Sequence, residues 1–162
     1  MTLTSKLSSL VAGLCLTATP TLAKVDAGTP DLLRTLPRYG VQVALNHSDC
    51  QGQTEFAGYY NTGTKDFVVC YKGVPTADDH DTVRHEAIHV AQHCAAQREG
   101  RPYGIRPILQ GAELNQFVTS VLSPEQIIRI KSVYPKDKHL TELEAFAAAQ
   151  HYSSAEVQSI VT

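Results

Sequence analysis

The residues in this sequence best equipped for chemistry are His85, Glu86 and His89, which stand in the run Arg84-His85-Glu86-Ala87-Ile88-His89. Residues four apart share one face of a helix, so both imidazoles can direct a ring nitrogen at a single ion about 2 Å away. Glu86 falls beside them. Its carboxylate need not be a ligand and can instead take a proton from water activated at the same ion. This HExxH spacing predicts a Zn2+ site with its own general base.

A catalytic zinc site typically has three protein ligands and keeps a fourth position open, so one ligand must come from elsewhere. His93 continues the i+4 series, but it lies about 12 Å from His85 along a helix axis, too far to share one ion. The extended HExxHxxGxxH pattern is absent as well. Gln92 stands where its glycine would be, and Ala95 and Ala96 lead into Gln97.

Taken together, His85-Glu86-Ala87-Ile88-His89 and Glu142-Leu143-Glu144-Ala145-Phe146 resemble the paired helical motifs of small gluzincin-like zinc metallopeptidases. The resemblance implies Glu144 as the third ligand, with Glu142 as second choice. The two differ by about 200° around a helix, so only one can face the ion. Thr141 to Glu144 also fits a capping box, in which Glu144 would serve the helix start. Thermolysin-like members carry an aspartate four residues after the ligand to orient a zinc histidine. Ala148 holds that place here, leaving Glu142 or Asp137 to substitute.

Such enzymes also stabilise an oxyanion with a donor from outside the main motif. His151, seven residues beyond Glu144 on the same face, and Tyr103 are the leading candidates, followed by Tyr134, His139 and Tyr152. By analogy with zincins, the strand Phe67 to Tyr71 would be the edge along which an extended peptide pairs. The implied function is a secreted zinc metallopeptidase, with Glu86 accepting the proton of water and passing it to the leaving amine. The alternative is a non-catalytic exported domain that keeps a vestigial zinc site and binds a partner.

The elements that must position these residues read as strands first and helices later, an α+β order. Thr29-Pro30-Asp31 opens a short helix that stops before Pro37. Val41 to Leu45 alternates as a strand, and Tyr59-Tyr60 and Phe67 to Tyr71 flank the turn Asn61-Thr62-Gly63-Thr64 as a hairpin. A small antiparallel sheet is expected from these. Asp79 to Arg98 forms the long helix that carries the motif, with N-cap candidates in Thr76 to Asp79 and a stop at Gly100 and Pro102. Further helices are expected over Ile108 to Leu122, Pro124 to Val133 and Leu140 to Val161, the last with a break near Ser153-Ser154.

With 162 residues, 43% hydrophobic and 19% charged, the chain suits one domain with a real core. A net charge of -2 leaves no basic stripe for nucleic acid. Residues 1–23 follow the export pattern: Lys6, an apolar stretch from Leu7 to Leu16, then Thr21-Leu22-Ala23 before the mature domain 24–162. That stretch is too short to span a bilayer, so a secreted or periplasmic protein without stable membrane insertion is expected, acting on peptide or protein substrates. Cys15 leaves with the signal. Of the remaining three, Cys50 and Cys70 are the preferred pair because a hairpin lies between them, while Cys94 could instead bridge the motif helix to either one.

Overall fold

The computed structural model describes residues 26–51 and 57–162, so the expected signal peptide lies outside the described residues. Among these the elements run α1 (Thr29–Thr35), β1 (Gln42–Leu45), β2 (Gly58–Tyr60), β3 (Asp66–Val69), α2 (Ala77–Arg98), α3 (Gly111–Val121), α4 (Pro124–Val133), α5 (His139–His151) and α6 (Ser154–Val161). The fold is α+β: a small sheet followed by a mostly helical remainder.

The strand order is β1-β3-β2. The hairpin β2–β3 is antiparallel as expected, pairing Tyr60 with Phe67 and Gly58 with Val69, but β1 runs parallel to β3. The sheet is therefore mixed, which corrects the antiparallel expectation. Only the tight turn at Asn61 to Thr64 dictates direction. The chain from Leu45 to Asp66 is long enough for a parallel crossover, which needs about a dozen residues. A second correction follows from the order. The strand after the turn, β3, is central, with Phe67, Val68 and Val69 buried, so β2 forms the edge instead. At Gly58, a Cβ would lie 2.6 Å from Val68 O and 3.0 Å from Thr82 Cγ2, so only glycine lets β2 seat this closely on β3 and α2.

Thr76 starts α2 with a capping box, its hydroxyl accepting from Asp79 N and the Asp79 carboxylate accepting from Thr76 N at 2.7 Å. α2 packs against α5, α6, β2 and β3, and is covered on most sides. Val83, Ala87, Ile88, Val90 and Ala91 join Leu32, Leu36, Phe67, Val69, Ala145, Ala148 and Val157 in the main core. The long C-terminal helix expected over Leu140 to Val161 is two helices. The break falls where Ser153 caps α6 in a capping box with Glu156. A second apolar cluster, Leu114, Val118, Leu122, Ile130, Leu143 and Ala147, braces α5 with α3 and α4.

One polar knot sets the start of the motif. The Arg84 guanidinium donates to Ala149 O at 2.9 Å and to Asp26 at 2.8 Å, and also pairs with Asp81. Asp26 accepts further from Ser154 N and Gly28 N. The residue just before His85 thus ties α2 to the ends of α5 and α6.

Cys50 and Cys70 form the disulfide, and Cys94 is a free, half-buried thiol packed against the main core. The bridge is separated by 20 residues in sequence, and closing a loop of that order stabilises a fold by about 3 kcal/mol in the chain-entropy account. A Cys50→Ala, Cys70→Ala protein is expected to lose about that much in urea unfolding. A loss below about 1 kcal/mol would show that other contacts already hold this loop.

Candidate metal centre

α2 presents His85 and His89 on one face, as the four-residue spacing requires, and α5 supplies the carboxylate that meets them. That carboxylate is Glu142, not Glu144. His85 Nε2 and His89 Nε2 lie 3.1 Å apart, Glu142 Oε2 is 3.3 Å from His85 Nε2, and Glu142 Oε1 is 3.5 Å from His89 Nε2. Ligands about 2.0–2.1 Å from a shared ion at the tetrahedral angle stand about 3.3 Å from one another. The three separations, which run to both oxygens of Glu142, lie close to that value, so the two imidazoles and the carboxylate have the spacing to hold a metal ion. Glu142 Oε2 is buried and finds no hydrogen-bond partner, which also suits a ligand atom. No fourth His, Cys, Asp or Glu joins the group among the described residues.

The expected ligand Glu144 lies elsewhere because α5 begins at His139, before Thr141, so no capping box forms and both glutamates sit inside the helix. Glu142 then faces α2 at the histidines. Glu144, about 200° further round, accepts from Ile108 N at 2.8 Å, Leu109 N at 2.7 Å and Gln92 Nε2 at 2.9 Å. Thr141 donates its hydroxyl to Lys138 O.

Gln92, buried completely, also donates to Thr141 O at 3.0 Å and meets His89 Nδ1 through its Oε1 at 2.8 Å. In the sequence this residue stands out only as occupying the place of the glycine in the extended motif. The signal that could have found it is its position three residues after His89, on the same helical face. His85 Nδ1 has no partner, and its ring is held by Phe146, with centroids 4.4 Å apart, and by the edge of His89 at 4.7 Å.

Glu86 is buried and makes no hydrogen bond or ion pair with a described residue. Its negative charge reaches both His89 and Tyr134. Burial pushes the Tyr134 phenol up to about 12, helped by Glu142 and Glu86, so the phenol stays a neutral donor. Tyr103 lines a cleft of about 410 Å³ together with His89, Glu142, Lys138, Ile105 and the edge-strand residues Tyr59 and Tyr60. His151 does not come to the site. It packs edge-on against Phe117 and Tyr152 and borders a separate cavity with Asp26 and Arg84. It was expected to share the face of Glu144, and that is not the face turned to the histidines.

His93, excluded as a ligand on distance, fixes the cleft wall instead. Its Nε2 donates to Pro102 O at 2.7 Å, which leaves Nδ1 to accept from the Tyr60 hydroxyl at 2.8 Å. Burial raises that phenol to about 12.

The three side chains hold each other. Burial would depress the His89 imidazolium, but the facing Glu142 carboxylate and the charge of Glu86 outweigh it and raise the group from 6.5 to about 9. Burial would raise Glu142, but the facing His85 and His89 bring it from 4.5 down to about 2. The His89 contribution to stability is complete below pH 6.5 and is lost as pH rises through about 9. That of Glu142 is complete above pH 4.5 and is lost as pH falls toward 2. The chelator-treated protein is thus expected to show its highest thermal midpoint between pH 4.5 and 6.5 from this contact, falling on either side. An alkaline limb as steep in Glu142→Gln as in the parent would refute the assignment.

No curated protein and no solved structure matches the chain. One family profile does, described as Domain of unknown function (DUF8637), over residues 21–158. Since that match takes in most of the sequence, the protein belongs to the DUF8637 family.

Proposed function

We propose that this protein is an exported zinc-dependent peptidase of zincin-like type, with His85, His89 and Glu142 as the metal ligands and Glu86 as the general base. The observation that carries the reading is the convergence of two imidazole nitrogens and one carboxylate, at separations of 3.1 to 3.5 Å, beside a cleft that His89 and Glu142 themselves border. Three protein ligands without a fourth are the donor set of a catalytic zinc, where a structural zinc is closed by four. A bound zinc ion would polarise the scissile carbonyl and lower the pKa of water.

The chain's own residues supply the rest. Glu86 follows His85 directly and has no competing partner, so its carboxylate is free to accept the proton of water and hand it to the leaving amine. Tyr103 lines the same cleft, and this reading assigns it to the developing oxyanion. The edge strand β2 borders the cleft through Tyr59 and Tyr60, and this reading assigns that side of the cleft to an extended peptide. The Cys50–Cys70 bridge suits an oxidising compartment, and no helix among the described residues is long and apolar enough to cross a membrane. A secreted or periplasmic location accords with both.

The test is elemental analysis followed by hydrolysis of a mixed peptide library. The purified protein is expected to carry about one zinc per chain, the stoichiometry of a tight single site. Glu86→Gln is expected to keep that zinc and lose at least about 100-fold in turnover, the lower range for a general base. A Glu86→Gln protein as active as the parent would sink the mechanism, and a parent without zinc would sink the site.

A further inference from the structure

We propose that Gln92 and Glu144 are positioning residues of the metal centre, joining the backbone amides of Ile108 and Leu109 to His89 so that its Nε2 faces the ligand cluster. The proposal deepens the metal-site reading above and rests on it.

The chain of contacts has only one assignment of donors and acceptors. Glu144 faces three N–H groups and no acceptor: Leu109 N on Oε1, and Ile108 N and Gln92 Nε2 on Oε2. The Gln92 nitrogen is fixed in turn, because its two neighbours, the Glu144 carboxylate and Thr141 O, can only accept. The amide oxygen must then face His89 Nδ1 at 2.8 Å, and the hydrogen of that contact must sit on Nδ1. Whether the ring is neutral or charged, Nδ1 keeps its hydrogen, and Nε2 is the nitrogen left to ligate. Outer partners of this kind fix a ligand histidine's tautomer and ring angle, and losing one typically costs about 10–100-fold in metal affinity.

Burial makes the device rigid. Gln92 is wholly buried and Glu144 is 2% exposed, so neither amide nor carboxylate can turn to water without leaving a buried group unpaired. The same carboxylate anchors the segment that leads from Tyr103 and Ile105, two residues of the cleft wall, and Arg106 N donates to Gln92 O at 3.4 Å. One side chain therefore sets both a ligand's orientation and the position of the wall beside it.

The test measures zinc affinity by chelator competition on the full-length protein, independently of hydrolysis. Gln92→Met, similar in shape but without an acceptor, is expected to bind zinc about 10–100-fold more weakly than the parent. Gln92→Glu alone sets two carboxylates face to face and is expected to be impaired. In the zinc-loaded parent, 15N NMR should show a slowly exchanging proton on His89 Nδ1 that Gln92→Met lacks. Thermal melts under chelator confirm that each variant folds, and Glu144→Gln alone serves where Gln92→Met does not. Folded variants that bind zinc like the parent would overturn the proposal while leaving the peptidase reading intact. A parent that binds zinc but hydrolyses nothing would overturn the peptidase and leave this intact.

Discussion

The structure depends on bringing three ionisable groups, His85, His89 and Glu142, together under a small apolar core. Each is at most 8% exposed, and an isolated charge there would be expensive. They are tolerable because they compensate one another: the carboxylate raises His89, and the imidazoles lower Glu142. Removing one partner from such a buried set typically costs about 3–5 kcal/mol. The arrangement therefore demands that α2 and α5 be held in register, and much of the remaining fold serves that end. Arg84 ties the start of the motif to α5 and α6, and α3 and α4 brace α5 from its other side.

Most of this was legible in the sequence because it rests on local rules. The HExxH face follows from helix periodicity alone, and the start of α2 follows from the Thr76 cap. The Pro124 helix follows from the Ser123 capping box that the structure contains, and the break expected near Ser153 falls where the structure has another. The Cys50–Cys70 pair also followed from local order, since a hairpin brings chain segments on either side of it close together. What failed was register between elements. Glu142 and Glu144 are two positions apart, and the choice between them turns on where α5 begins and how it is rotated against α2. Packing of Ala145, Ala147 and Ala148 decides that, at long range. The direction of β1 is similar, because no turn links it directly to the strand it pairs with.

The placement of Glu144 away from the histidines has a physical explanation that also accounts for Ala148. A carboxylate four residues after the expected ligand would have to stand at position 148, but that side chain is in the main core with Ala87, Ile88 and Ala91 of α2. Small side chains there let α5 approach α2 closely enough for Glu142 to reach the histidines. An aspartate would be both larger and unpaired among apolar neighbours. The contact that His89 makes through its other nitrogen comes instead from within α2, from Gln92 one turn on. The carboxylate that could not sit at 148 sits at 144, one step removed, where two backbone amides and a carboxamide satisfy it. The two glutamates of Glu142-Leu143-Glu144 thus meet partners that a single face of the helix could not reach, one turned to the histidines and the other to Gln92 and the amides of Ile108 and Leu109.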